Sequence, residues 1–289
     1  MIKKGGVLLA GGTGSRLFPK TLIANKHLLP IYDKPMIYYS LSIMFLCDIK
    51  DITIVCNDKD VNQLKALLGK GEEFGVKIDY SIQDKPDGIP DAINTAVKDK
   101  NYMKFLTVLG DNFLYGREFF NTVKIMLNEE SNNSFFYQKV KNPENFGILK
   151  WKNEKIIDIV EKPQQFVSND AVIGLYIFDN LFAEKFKNIS KSSRGEFEIV
   201  DIIKQYGVDT FNSEYIGRGT AWFDMGSNDD FFNCELFVKT IQDKQGLLVC
   251  SPHEIALRNG WVSRDDLFTK LKDYENSEYT VNLFKYLEI

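Results

Sequence analysis

Long apolar runs, surplus positive charge and paired cysteines are all missing from this sequence. No stretch approaches the roughly 20 apolar residues that span a bilayer, and the apolar part of MIKKGGVLLAGG is too short for the core of a secretory signal. Both absences predict a cytoplasmic chain with no membrane partner. Lys and Arg number 36 against 40 Asp and Glu, a formal charge of −4. That balance excludes a general nucleic-acid binder, which needs a clustered basic excess. Cys47, Cys56, Cys234 and Cys250 have no CxxC spacing. They are expected as buried free thiols in a reducing compartment, not as zinc ligands or disulfides. There is no GxxxxGK[ST] phosphate loop, and the dinucleotide pattern GxGxxG fails because Leu17 stands where its third glycine belongs. Neither an internal repeat nor a low-complexity linker interrupts residues 1–245.

What is present is a well-stocked core, with 44% hydrophobic and 13% aromatic residues. GGVLLA, DITIVC, KIDYSI and FLTVLG have the length and composition of buried strands. Between them PMIYYSLSIMFL, DVNQLKALLG and DGIPDAINTAV read as helices. Alternation of this kind predicts right-handed βαβ units and a parallel sheet covered on both faces. Ligands of such sheets bind at the carboxyl ends of the strands. From about residue 134, SFFYQKV, FGILKW, KIIDIVEKP and AVIGLYIFD predict antiparallel strands added to that sheet. A helical region near 180–206 follows, then SEYIGRGTAWFD as strand and loop, and NDDFFNCELFVKTIQDKQ as a long amphipathic helix. After Gly246, LLVCS looks like a strand, and three short helices complete the chain. The expected fold is therefore α/β, Rossmann-like, with a mixed and mainly parallel sheet. Residues 1–245 form the main domain and 246–289 a small helical extension, whose apolar positions include Trp261, Leu267, Leu271, Leu283 and Leu287.

The stretch from Leu8 to Lys26, LLAGGTGSRLFPKTLIANK, falls at the carboxyl end of the first strand. Gly11, Gly12 and Gly14 let backbone N–H groups converge on phosphate oxygens, and Arg16 adds a charged fork. A tight turn carrying a surface arginine would use the same residues. LGDN, at the end of another parallel strand, lies at the same edge of the sheet.

The whole pattern LAGGTGSRLFPKT, with Lys26 in NKHLLPIYDKPMIYY, resembles the sugar-1-phosphate nucleotidyltransferases, and most closely their thymidylyl-transferring members. The resemblance continues through QDKPDGI, LGDN, NFGIL, EKP, GLY, RGEFEIVDI and RGTAWFDMGS to EIALRNGW. It implies attack of a sugar-1-phosphate on the α-phosphorus of a nucleoside triphosphate, with loss of pyrophosphate. By that resemblance Arg16, Lys26 and Lys162 are catalytic, and Asp111 with Asp224 holds Mg²⁺. Leu9, Gly11, Gly12, Gly14, Ser15, Arg16, Gln83, Pro86, Gly88 and Asp111 would surround the nucleotide, dTTP with UTP as the alternative. Gln83, having both an amide donor and an acceptor, can read the imide edge of thymine or uracil. Gly88 would let the base lie against backbone. Gly147, Glu161, Lys162, Val172, Tyr176 and Arg194 would hold a hexose-1-phosphate, glucose first. Ile173, where the family carries threonine, suggests a more apolar sugar wall and leaves a deoxy or amino sugar open. His27, in place of glutamine, is expected to alter the field beside Lys26. The longer members form homotetramers with a second, inhibitory nucleotide site. Here Gly116, Glu254, Ile255, Ala256 and Arg258 would line it, although Arg117 and Glu118 depart from the family's residues after Gly116. The alternative of another class is a sugar-nucleotide-binding regulatory protein without turnover.

Overall fold

A computed structural model describes residues 3–129 and 132–285; Leu287 lies outside them. The first half runs β1 (Lys4–Leu9), β2 (Pro30–Ile31), β3 (Lys34–Pro35), α1 (Met36–Leu46), β4 (Asp51–Cys56), α2 (Val61–Leu68), β5 (Lys77–Ile82), α3 (Ile89–Val97) and β6 (Lys104–Leu109). Next come β7 (Asn112–Tyr115), α4 (Arg117–Asn128), β8 (Ser134–Lys139), β9 (Gly147–Lys152), β10 (Lys155–Glu161) and β11 (Asp170–Asp179). The chain continues through α5 (Phe182–Phe186), α6 (Ile199–Tyr206), β12 (Asn212–Tyr215), β13 (Ala221–Asp224) and α7 (Asn228–Gln245). It closes with α8 (Pro252–Arg258), α9 (Arg264–Lys270) and α10 (Glu278–Lys285).

The main path of the central sheet is β10-β9-β11-β6-β1-β4-β5, with β8 on β11 and β12 on β8. Strands β5, β4, β1 and β6 are mutually parallel; β11 returns antiparallel to β6 and carries the second-half strands. The chain leaves β1 to one side for β4 and β5 and crosses to the other for β6. The order therefore reverses at β1, and a crevice opens there at the carboxyl ends. Leu9 lies opposite Leu109 in the ladder, and the Gly110 N–H donates to the Leu9 carbonyl at 2.8 Å. The glycine-rich stretch and LGDN are thus side by side.

Helix α1 explains its own apolar sequence: every residue from Met36 to Phe45 is buried, so it has no polar face to show. Its two buried serine hydroxyls are satisfied by different segments of the chain. The Ser40 hydroxyl donates to the Gly110 carbonyl at 2.7 Å, and that of Ser42 to the Cys250 carbonyl at 2.8 Å. The core divides along the sheet. One apolar cluster includes α1, α2, α4 and one sheet face, another lies under α3 and α6, and a third lies under α7. The 246–289 segment shares in this packing. Ile255 and Ala256 of α8 join the α1 cluster, while Leu248, Leu267, Leu271 and Leu283 form a small cluster of their own.

Two expectations need correction, and one helix was not expected. LLVCS is not a strand; a bend at Leu247 and a turn at Val249 and Cys250 bury Leu248, Val249 and Cys250. SEYIGRGTAWFD is two strands in different sheets, β12 beside β8 and β13 beside β7. Helix α4 was not expected, although its buried Phe119, Phe120, Val123 and Leu127 recur at helical spacing. All four cysteines are buried and free, and no described helix is long and apolar enough to cross a membrane.

Candidate active site

The crevice at the β1 switch point encloses about 380 Å³. Of the residues expected around a nucleotide, Leu9, Gly11, Gly12, Arg16, Lys26, Gln83, Pro86, Gly88 and Asp111 line it. Gly14 and Ser15 do not. Gly14 has a structural reason for being glycine: φ is +62°, and a Cβ would stand 2.8 Å from Thr21 Cγ2. At Gly11 and Gly12 the protein asks for nothing. A Cβ there would meet only ordinary contacts, 3.5 Å from Gln83 Oε1 and 3.9 Å from His27 Cε1 respectively. The room above them is room for a ligand.

Two buried residues anchor the cationic and acidic groups. Leu17 and Met225, both at 0% exposure, sink into the α7 cluster and fix the neighbouring Arg16 and Asp224 at the rim. Burying a side chain of this size stabilises by about 1.5–3 kcal/mol. The Arg16 guanidinium lies over the Gly226 backbone, 2.7 Å from where a Cβ would be.

Asp111 and Asp224 come together although the sequence separates them widely. Strands β7 and β13 pair antiparallel with Asn112 opposite Asp224, and the Met225 N–H donates to the Asp111 carbonyl at 3.0 Å. Lys26, itself 7% exposed, ion-pairs with Asp111 Oδ2. Burial works to raise the Asp111 carboxyl, but the nearby Lys26 charge and hydrogen bonds from Lys26 and Asn112 outweigh it and hold it well below the usual range. Asp224 moves the other way. Burial, then the charge on Asp111, pushes its carboxyl up to about 7 against the opposing charges of Lys26 and Arg16. Two carboxylates kept together against their own repulsion suit a divalent cation, and Mg²⁺ takes few protein ligands besides water and phosphate.

His27 adds no charge beside Lys26 near neutral pH. Burial, then Lys26, lowers its pKa to about 4, so the ring is neutral near pH 7. The Asn25 side-chain oxygen accepts from the His27 N–H at 2.8 Å and lies 2.7 Å from ring Nδ1. An amide oxygen can only accept, so Nδ1 carries the proton.

The residues expected at the sugar phosphate form a second group. Gly147 pairs with Glu161 across the β9–β10 ladder. Lys162 turns out of β10 at φ +42°, its N–H donating to the Phe146 carbonyl at 2.9 Å. Arg194 makes a two-pronged contact with Glu198, Nε to Oε1 at 3.1 Å and a terminal nitrogen to Oε2 at 2.6 Å, and reaches Glu161 at 3.4 Å. Burial, then the Glu198 charge, raises the Glu161 carboxyl. Val172 and Tyr176 pack with Ile159 and Val200 in the α6 cluster. The 191–198 loop joins this group to the crevice, because Glu196 lines the crevice and Lys191 ion-pairs with Asp87 at 2.7 Å. Ile173 is not a sugar wall. Strand alternation turns it away from Val172 into the α1 cluster at 0% exposure, so it bears on no sugar choice.

Gly88 is also explained differently from the expectation. With φ +110°, a Cβ would stand 2.2 Å from the Phe197 carbonyl oxygen, so the adjoining loop already requires glycine there. Sequence reasoning missed two residues. The Trp222 indole N–H donates to Asn112 Oδ1 at 2.7 Å, which turns the Asn112 amide nitrogen onto Asp111 Oδ1 at 3.1 Å. The position of Trp222 two residues before Asp224, on the same face of β13, was the available signal.

A second groove of about 540 Å³ lies between α4 and α8 and is lined by Gly116, Glu254, Ile255 and Arg258, with Arg117 among its other residues. Arg258 pairs with Glu254 at 2.8 Å. Ala256 is excluded from that groove, because it points from the opposite face of α8 into the core at 0% exposure.

Comparison with known proteins agrees with this arrangement. The nucleotidyl transferase family model matches residues 5–241. The chain is 39% identical over 285 residues to a glucose-1-phosphate thymidylyltransferase of Neisseria meningitidis, covering 98% of this chain and 99% of that one. A solved Bacillus anthracis structure, described as a glucose-1-phosphate thymidylyltransferase in complex with a sucrose, superposes with a TM-score of 0.74 at 34% identity, covering 81% of this chain and 94% of that one. A UDP-glucose pyrophosphorylase complexed with UDP-glucose shares the fold at a TM-score of 0.72 and 21% identity, covering 83% and 99%. With its glycine-lined crevice at the β1 switch point, this chain belongs to the nucleotidyl transferase family.

Proposed function

We propose that the protein transfers a thymidylyl group from dTTP to glucose-1-phosphate, giving dTDP-glucose and pyrophosphate for activated deoxysugar and polysaccharide synthesis. The observation that carries this reading is the crevice itself. Open glycine backbone, Arg16, Lys26, Asp111 and Gln83 all line it, and half-buried Asp224 is brought beside Asp111 at its rim by the β7–β13 pairing. UTP is the second reading, since uracil offers Gln83 the same imide group.

A phosphate oxygen of the sugar-1-phosphate forms the new bond to the α-phosphorus, and the bond from that phosphorus to the β-phosphate oxygen breaks. The nucleophile is already an anion, so no general base is needed. Catalysis is a matter of positioning and charge. Arg16 and Lys26 would sit along the triphosphate and favour departure of pyrophosphate. Lys162, with Arg194, would steer the sugar phosphate into line. Glu161 would accept sugar hydroxyls, with Gly147, Val172 and Tyr176 shaping the pocket. Asp111 and Asp224 would hold Mg²⁺, which when bound neutralises charge on the phosphates. Lys26 would then exchange its bond to Asp111 for phosphate oxygens.

The α4–α8 groove is the counterpart of the second nucleotide site expected from the longer family members, with Arg258 facing the diphosphate of an inhibitory dTDP-sugar and the chain assembled as a homotetramer. The assay that tests the catalytic reading is Mg²⁺-dependent pyrophosphate release from dTTP and glucose-1-phosphate. Release should collapse in Asp111→Asn and Asp224→Asn. Wild-type rates in both variants would remove the metal assignment.

A further inference from the structure

Gln83 is not free to offer both of its amide groups. It is 8% exposed, and its side-chain nitrogen donates to Asp91 Oδ2 at 2.8 Å and to the Gly88 carbonyl at 3.2 Å. An amide NH₂ has two hydrogens, so both are spent inside the protein. The opposite rotamer of the amide is closed, because it would set two oxygens against each other at Asp91 and again at Gly88. What remains is Oε1, which faces Gly11 across the crevice, 3.5 Å from that residue's Cβ position. Asp91 stands in the first turn of α3, where the helix dipole favours a carboxylate.

We infer that Asp91 is a specificity-determining residue, which fixes Gln83 as a pure acceptor so that the crevice selects a nucleobase by its ring N–H. This deepens the proposed function and rests on it. Thymine and uracil present N3–H to such an acceptor. Cytosine presents a bare N3 lone pair, and two acceptors then face each other beside the buried Gln83. A site built around one buried hydrogen bond rejects the partner that lacks it by several decades. An acceptor cannot bond the position-4 oxygen of thymine or uracil, so recognition by Gln83 turns on the N3 proton.

Replacing the carboxylate changes the sign of the readout. In Asp91→Asn the new side chain can turn its own NH₂ toward Gln83, which removes the closer of the two oppositions; with only the longer Gly88 contact against it, the Gln83 amide can rotate and present a donor to the crevice. Turnover (kcat/KM) and equilibrium binding are measured for dTTP, UTP, CTP and N3-methyl-dTTP with the wild type, and for dTTP and CTP with Asp91→Asn. A thermal melt checks that the variant is folded. The wild type should prefer dTTP and UTP over CTP by roughly 100-fold or more, and N3-methyl-dTTP should bind no better than CTP. Asp91→Asn should lose about tenfold on dTTP and gain on CTP, so that the ratio falls by an order of magnitude or more. A wild type that uses dTTP and binds N3-methyl-dTTP equally well overturns the inference even if the variant misfolds. So does a folded Asp91→Asn that keeps the wild-type dTTP to CTP ratio. Absence of both turnover and binding with every pyrimidine nucleotide overturns the proposed function, and this inference with it.

Discussion

Asp111 and Asp224 meet because β7 and β13 pair with Asn112 opposite Asp224. Their electrostatics give two predictions. Converting either to asparagine keeps its shape and removes a charge, so pyrophosphate release should fall by about two decades or more. The second concerns stability without metal. Burial, then the Asp111 charge, raises the folded-state Asp224 carboxyl from 3.8 to about 7. Below pH 3.8 the group is protonated in both states and costs nothing. As pH rises toward 7 the unfolded chain releases a proton that the folded chain keeps, so stability falls, and above 7 the whole penalty is present. Asp224→Asn should therefore melt higher than wild type in chelator at pH 8, by roughly 3 °C or more, with a smaller gain at pH 5. A variant that melts lower than wild type at pH 8 would show that Asp224 does not carry this burden.

The elements that place the site vary in how plainly the sequence announces them. Strands β1, β4 and β6 are largely apolar runs, β5 at the sheet edge alternates apolar and polar residues, and the crevice follows from their order. The LGDN and WFDMG stretches carry their resemblance on their face. Harder to read were the contacts that decide what each group can do. Neither the neutral ring of His27 nor the spent amide of Gln83 can be inferred without knowing that Asn25 and Asp91 stand beside them. Ile173 was misassigned because its position beside Val172 was read without the alternation of β11, which sets Val172 and Tyr176 on one face and Ile173 on the other. The glycines divide in the same way, and the division can be tested. Gly88→Ala puts a methyl 2.2 Å from the Phe197 carbonyl at φ +110°; it should cost about 2 kcal/mol or more in urea unfolding. Gly11→Ala meets only ordinary contacts and should unfold within about 0.5 kcal/mol of wild type, while dTTP binding weakens by roughly tenfold or more. Equal destabilisation by both substitutions would mean that Gly11 serves the fold and not a ligand.

Across the whole molecule, the crevice and the α4–α8 groove sit against the same buried helix, α1, which bonds the Gly110 carbonyl at one site and the Cys250 carbonyl at the other. The proposed assembly predicts a tetramer of the 33.2 kDa chain by light scattering at micromolar concentration; a monomer would contradict it. Arg258→Ala should raise the concentration of dTDP-rhamnose needed for half-inhibition by roughly tenfold, leaving turnover at low product unchanged. Inhibition strictly competitive with dTTP and indifferent to Arg258 would leave the groove without that role. Everything else depends on the reaction. The measurement that tests it most directly is pyrophosphate release over a grid of nucleoside triphosphates and sugar phosphates, with and without Mg²⁺. Turnover of dTTP with glucose-1-phosphate is expected, with UTP accepted, CTP refused and all release stopped by chelator. Full release in excess chelator, or none with any pairing of dTTP or UTP and a hexose-1-phosphate, would contradict it.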